Sequence, residues 1–372
     1  METTAEPDAG WRVDFSPRGI DLDSFPYHVW RKLSRNTLVD DNKEMFHSGN
    51  HQGEPGLREA IRSYLHSARG VNCSPEQIIV GAGSEYLLML LSQILEGKHV
   101  IAMENPTYKQ AYRVFRSLGY EVCPVEMDAN GMEPELLTRS GANVAYVMPS
   151  HQFPTGVVMP VGRRQELLKW AVEAPDRYII EDDYDSEFRY RGKPIPALQG
   201  MDRSGRVIYL GTFSKCIAPA IRVSYLVLPT HLLLRYRSQT SFYASTVSRI
   251  DQNILYQFLA GGYFERHLNR MRAVYKTKHD LLLEQIEPLR ERFEIRGEHA
   301  GIHILLTSRQ GESEEQLIQK AEEAGVKVYG LSSYFIHPQH NHRPATVVLG
   351  YASLSEEQIV EGIRLLMECW GA

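Results

Sequence analysis

Between about residues 56 and 230, short unbroken apolar runs alternate with segments whose apolar positions recur every three or four residues. The runs are Gln77–Val80, His99–Met103, Glu121–Val125, Val144–Met148, Tyr178–Glu181, Val207–Gly211 and Ser224–Leu228. They are too short for helices and lack a polar alternation, so they read as strands covered on both faces. Helical spacing is predicted between them over Leu57–Ser67, Ser84–Leu95, Tyr108–Leu118 and Arg163–Glu173. In the second of these, Leu87, Leu88, Leu91, Ile94 and Leu95 cluster at that spacing. Strands separated by helices predict an α/β class with a mainly parallel central sheet. In such sheets ligands sit beyond the carboxyl ends of the strands.

After Ser248 the texture changes. One long helix is predicted from about Ile250 to Glu287, followed by a smaller α+β unit. Its strands lie near Phe293–Ile295, His303–Leu306, Val326–Tyr329 and Thr346–Gly350, under helices Glu314–Ala324 and Ser355–Trp370. The chain therefore divides into an N-terminal segment (1–47) packing with the small domain, a large ligand-binding domain (48–247), and an interdomain helix with a small C-terminal domain (248–372). The long helix carries Arg266, Arg270, Arg272, Lys276 and Lys278, but Glu265, Asp280, Glu284 and Glu287 interleave with them. That mixture is a solvated face, not a nucleic-acid surface.

Composition narrows the class. The 372 residues are 43% hydrophobic and 23% charged, enough for a globular protein of roughly two domains. A net charge of −5 leaves no electrostatic footprint for nucleic acid or an anionic membrane. No run approaches the ~20 apolar residues of a membrane span. The start, Met1 to Pro7, is polar and acidic, unlike a secretion signal. Cys73, Cys123, Cys216 and Cys369 are scattered without a CxxC pair, which points to reduced thiols and a cytoplasmic protein.

The chemistry concentrates at two strand ends. Gly211-Thr212-Phe213-Ser214-Lys215 follows one apolar run, and Glu181-Asp182-Asp183-Tyr184 ends another, with Arg222 shortly beyond the lysine. Most lysines are surface residues, and Asp is common in turns after strands. A lysine in so apolar a setting, however, has its ammonium form disfavoured, which suits imine formation. A Schiff-base lysine, a carboxylate for a pyridinium nitrogen and an arginine for phosphate are together what pyridoxal phosphate (PLP) requires. Tyr184 is placed to reach the ring's phenolic oxygen. Gly81-Ala82-Gly83-Ser84 opens the apolar helix after a strand, and backbone N–H groups at such a helix start bind phosphate. A dinucleotide fingerprint would want a glycine where Tyr86 stands. His337, His340 and His342 share a loop that superficially resembles a metal site, but no Asp, Glu or Cys supports them, and no metal is expected.

These stretches, with Pro149-Ser150-His151-Gln152-Phe153-Pro154-Thr155-Gly156 and Ile179 to Phe188, resemble a fold-type I PLP-dependent aminotransferase. More narrowly they resemble the effector domain of the MocR family of transcription regulators, the GabR type. The resemblance implies that Lys215 forms an internal aldimine, Asp182 pairs with the pyridinium nitrogen, Tyr184 contacts the ring oxygen and Tyr108 stacks on the ring. It assigns the phosphate to Gly83, Ser84, Thr212 and Arg222, and the ligand to Gln110, His151, Gln152 and Ser353. It also implies a homodimer.

Two departures from the transaminase pattern bear on function. Phe153 stands where an asparagine would reach the ring oxygen, and Ser353 stands where an arginine would clamp a substrate carboxylate. Gln110 replaces the second arginine of the GABA-responsive regulator. The expected function is therefore a PLP-binding, effector-sensing regulator domain that forms an external aldimine with a small amine or amino acid. DNA would be contacted only through a winged helix-turn-helix domain absent from this chain. The alternative is a free-standing aminotransferase acting on an amino acid.

Overall fold

A computed structural model of the chain describes residues 10–38, 43–190, 195–337 and 344–371. The expectations for Met1 to Pro7, His340 and His342 concern residues outside these stretches. The central sheet has eight strands, ordered edge to edge Ile78–Gly81, Ser224–Val227, Val207–Thr212, Tyr178–Asp183, Val144–Val147, Val100–Asn105, Glu121–Asp128 and Gly131–Met132. From Val207–Thr212 to Glu121–Asp128 every pairing is parallel, while Ser224–Val227 runs antiparallel to both neighbours. This is the α/β fold with a mainly parallel sheet that the apolar runs predict.

The inner strands are unbroken apolar runs because helices cover both faces. Ile101, Val144, Ile179, Ile180 and Ile208 are all fully buried. Helix Ser84–Leu95 lays Leu87, Leu91 and Ile94 against one face. Helix Pro55–Arg69 starts with proline in its first turn, where no N–H is needed, and ends at Gly70, whose φ of 64° only glycine adopts cheaply.

Two differences from the sequence-based reading have clear causes. The long helix is two helices, Arg249–Ala260 and Tyr263–Gln285, because Gly262 takes a left-handed φ of 67° between them. The single strand expected over Val326–Tyr329 is shared between sheets. Val326–Lys327 pairs in parallel with Val13–Asp14, and Tyr329–Gly330 joins the four-stranded antiparallel sheet with Phe293–Arg296, His303–Ser308 and Thr346–Gly350. Phe15, fully buried against Gly362, anchors the early segment: a Cβ at Gly362 would lie 2.7 Å from the ring. The chain then turns at Ser16 to Gly19 and reaches the carboxyl end of the large sheet.

Candidate functional site

A cavity of about 340 Å³ opens at the carboxyl ends of the parallel strands. Its lining includes Gly83, Ser84, Tyr108, Gln110, Asp182, Tyr184, Thr212, Lys215 and Arg222, together with Pro17, Arg18, Glu85 and Phe153. Residues far apart in sequence thus share one space. His151, Gln152 and Ser353 do not line it.

Lys215 follows the strand Val207–Thr212 by a short turn, in which the Ser214 N–H donates to Thr212 Oγ1 at 3.2 Å. Its Nζ donates to the carbonyl oxygens of Arg18 (2.9 Å) and Pro17 (3.4 Å), so the early segment forms a roof over it. Burial lowers its pKa to about 8, with Arg18 pushing the same way and Asp185 opposing. At pH 7 such a lysine is about one-tenth neutral, against roughly one part in three thousand for an ordinary one. Neutral amine is the nucleophilic form.

The strand Tyr178–Asp183 sorts its acids by alternation. Asp182 faces the cavity and accepts a hydrogen bond from the Tyr146 hydroxyl. Asp183 points to the other side, where Oδ2 accepts from Arg69 Nε at 2.8 Å and from the Tyr209 hydroxyl at 2.5 Å. Glu181, on that same side, accepts the N–H groups of Leu198 and Gln199 at 2.8 Å each. The two aspartates differ accordingly. Burial, Asp183, Asp185 and Glu85 together push Asp182 up to about 7, against the Tyr146 hydroxyl. Burial would raise Asp183 too, but the Arg69 charge and the Tyr209 hydroxyl hold it below the usual carboxylate range. Asp182 has no ion-pair partner among the described residues, and a protonated ring nitrogen would restore its charge. Asp183 already has its cation, Arg69.

At the other end of the cavity, Gly83 precedes helix Ser84–Leu95 with φ 92°. A Cβ there would lie 2.5 Å from Arg222 Nη2, so the close approach of helix start and guanidinium depends on glycine. Arg222 itself has φ 52°, an uncommon backbone for a non-glycine residue, and its Nη2 donates to Glu85 Oε2 at 3.0 Å. Thr212 Oγ1 accepts from the Ser224 hydroxyl at 2.9 Å nearby. Free helix-start N–H groups, a hydroxyl and a guanidinium are a donor set for a phosphate. With a partly neutral amine and a cation-seeking carboxyl in the same cavity, the residues present fit PLP.

The aromatic wall is built around Phe153. Its ring meets Tyr108, Tyr184 and Tyr334 edge to face, with centroids 6.3, 6.1 and 5.2 Å away. Burial pushes the Tyr108 hydroxyl up to about 12, keeping it neutral.

The remaining sequence-predicted residues fall elsewhere. Gln152 braces its own loop: Nε2 donates to the Pro106 carbonyl at 2.8 Å, and Oε1 accepts the Thr155 N–H at 3.1 Å. Ser353 is exposed and lies against Gly19, where an added Cβ would come within 2.3 Å of its Oγ. His151 is buried behind Tyr184, 2% exposed. His337 is exposed, and no cluster of three metal-ligating side chains occurs among the described residues. The sequence reading missed Pro17, Arg18 and Glu85. The first two act on Lys215 through backbone carbonyls, which leave no side-chain signal.

Residues 21–365 match the class I and II aminotransferase family. The chain is 42% identical over 371 residues to a Bacillus subtilis protein named as the uncharacterized HTH-type transcriptional regulator YdeL, covering 100% of this chain and 79% of that one. It is 34% identical to the probable rhizopine catabolism regulatory protein MocR of Rhizobium meliloti, covering 95% and 72%. Among solved structures, the multiple substrate aminotransferase of Thermococcus profundus superposes with a TM-score of 0.85 at 28% identity, covering 96% of this chain and 90% of that one. No helix among the described residues is long and apolar enough to cross a membrane.

Proposed function

The chain belongs to the class I and II aminotransferase family, on the branch of the HTH-type regulators of the MocR type, and from that premise we propose that it is a PLP-holding domain that senses a small amine. The observation that carries this reading is the position of Lys215, its amine partly neutral, in one cavity with Asp182 and the Gly83–Ser84–Arg222 cradle. Bound there, PLP would supply an electrophilic carbonyl able to react with an amine, and Lys215 would be the residue that anchors it. Asp182 would keep a proton on the pyridine nitrogen, Tyr184 would donate to the ring oxygen and Tyr108 would flank the ring. Gly83, Ser84, Thr212 and Arg222 would hold the phosphate.

Sensing is favoured over turnover by the residues at the two positions where the resemblance would place carboxylate clamps. Gln110 lines it with a neutral amide, and Ser353 lies outside it, so neither supplies the bidentate clamp that fixes a substrate carboxylate. A homodimer is proposed as well: Phe46, Phe242 and Tyr243 are 72%, 75% and 42% exposed, an apolar area suited to a second copy. DNA contact falls to a helix-turn-helix part of the kind the relatives' names print, not to these residues.

Two measurements test this. The protein is loaded with PLP and mixed with a panel of amino acids, D-amino acids and dipeptides while the visible absorption is followed. A spectral change with no keto acid released is expected; repeated turnover with a keto-acid acceptor would overturn the sensor and leave an aminotransferase. Glu85→Gln should tighten PLP binding about threefold or more in a fluorescence titration, since Arg222 is released from an exposed ion pair and a like charge near the phosphate is removed. Weaker binding by that variant would count against the phosphate cradle.

A further inference from the structure

Resting on the PLP reading above, we infer that His151 is a positioning residue that turns the Tyr184 hydroxyl proton toward the cavity, and that Asp185 fixes the imidazole proton that makes this possible. His151 Nδ1 lies 3.0 Å from the Tyr184 hydroxyl oxygen and 2.8 Å from Asp185 Oδ2. Both partners of this pair are deeply buried, His151 at 2% and Asp185 at 1% exposure. The ring packs closely on Gly301: a Cβ there would sit 1.9 Å from His151 Cε1.

The proton on this ring can be placed by elimination. A nitrogen 2.8 Å from a carboxylate oxygen must carry a hydrogen, since two lone pairs at that distance repel. Nε2 is buried with no partner. Putting the proton on Nε2 would orphan an N–H as well as aim a lone pair at Asp185; putting it on Nδ1 leaves only a bare lone pair unmet. His151 is therefore an Nδ1–H donor, shared between Asp185 and the Tyr184 oxygen. It offers Tyr184 no lone pair, and with Asp185 Oδ2 already taken by that N–H the tyrosine's own proton is left to turn toward the cavity it lines. There it serves a ring oxygen, in a site where Phe153 can donate nothing.

The surroundings keep the Tyr184 hydroxyl protonated and the neighbouring groups in place. Burial, then the Asp185 charge and the hydroxyl's hydrogen bonding toward that carboxylate, push the Tyr184 hydroxyl well above its ordinary value, so it keeps its proton. The His303 ring, 5.2 Å from that of His151, donates to the Pro154 carbonyl, and burial pulls its pKa down to about 3. Behind His151 and Asp185 lies a second cavity of about 260 Å³ that also meets Arg69, Arg164, Glu187, Arg189 and Arg272. Arg69 is committed to Asp183 and Ser150, Arg164 to three backbone carbonyls, Arg272 to the Glu187 carbonyl and Asn269, and Glu187 to the Tyr64 hydroxyl. Lys215 stands on the cavity side, bound to Arg18 and Pro17.

The first test needs no variant. Nitrogen-15 NMR of the histidine side chains in the whole protein should show His151 protonated at Nδ1; a proton on Nε2 alone overturns the inference. The second reads the pH midpoint of the PLP-loaded protein's visible absorption. A hydroxyl donating to the ring oxygen stabilises the form in which that oxygen is anionic, so it lowers the midpoint. His151→Phe, which removes the donor and leaves Tyr184 facing the Asp185 carboxylate, should raise the midpoint by about one pH unit, a tenfold change in the proton equilibrium. His151→Asn, which can present an N–H near the position of Nδ1, should stay near wild type, and Asp185→Asn should move in the direction of His151→Phe. An unshifted His151→Phe, or an Asn variant shifted as far as Phe, overturns the role. Should wild type acquire no colour at all, the PLP reading fails instead, and the NMR result still decides the proton's place.

Discussion

Lys215→Ala is expected to abolish the visible absorption that PLP acquires on this protein. Among the described residues lining the cavity there is no other lysine to replace it. Arg18 and Arg222 also line it, but a guanidinium stays protonated and forms no imine under these conditions. The variant should still bind the cofactor through Gly83, Ser84, Thr212 and Arg222, because none of them touches the lysine nitrogen, whose recorded contacts are the Pro17 and Arg18 carbonyls. Borohydride reduction followed by mass spectrometry separates attachment from binding. Wild type should gain one reduced cofactor per chain and the variant none. A coloured Lys215→Ala protein, or a mass gain on it, would place the reactive amine elsewhere.

Arg69→Ala is expected to cost about 3–5 kcal/mol of stability, the usual consequence of removing one partner from a buried ion pair. The pair is well enclosed, with side chains 7% and 1% exposed, and Arg69 also donates to Ser150 Oγ at 2.6 Å. Without the guanidinium, Asp183 keeps hydroxyl donors, Tyr209 and Ser186, but its buried charge loses its ion-pair partner. Because the folded pKa of Asp183 is depressed, the stabilisation is complete at neutral pH and above the unfolded value near 3.8. It is lost as pH falls through the lower folded value. Urea unfolding at neutral pH and again under acid conditions should therefore show a wide gap between wild type and Arg69→Ala that closes on acidification. A variant as stable as wild type at pH 7 would contradict this account of Asp183.

The two experiments draw on parts of the site that differ in how far the sequence exposes them. Lys215, Asp182 and Tyr184 could be read because each stands at the end of an apolar strand, and a strand end in a parallel sheet is a place as well as a pattern. The division of labour between Asp182 and Asp183 could not. It depends on Arg69, 114 positions upstream, and on a tyrosine from the neighbouring strand. The roof over Lys215 is further still, 197 and 198 positions away, and is made of backbone carbonyls that any residue would supply.

The fold shows the same limit. Strands in the large sheet were legible because continuous apolar runs have one explanation there. Val326–Tyr329 has the same texture but serves two sheets, and only the competing partners, Val13–Asp14 and Thr346–Gly350, decide where it divides. The break at Gly261-Gly262 did leave a local signal, which helical spacing on both sides outweighed. His151 and Gln152 sit in a stretch whose composition marks it as important, yet hydrogen bonds, not sequence, decide that one backs Tyr184 and the other ties down a loop.

The ion pair between Arg222 and Glu85 has a further consequence. A phosphate arriving at the helix start meets a guanidinium already engaged, with a carboxylate next to it that repels the newcomer. Holding PLP therefore involves displacing an internal rival, and the grip is looser than the same cradle would give with that acid neutralised. Occupancy of a loosely held site follows supply. On the sensor reading, neutralising Glu85 would raise the fraction of chains that carry PLP when its supply is limiting.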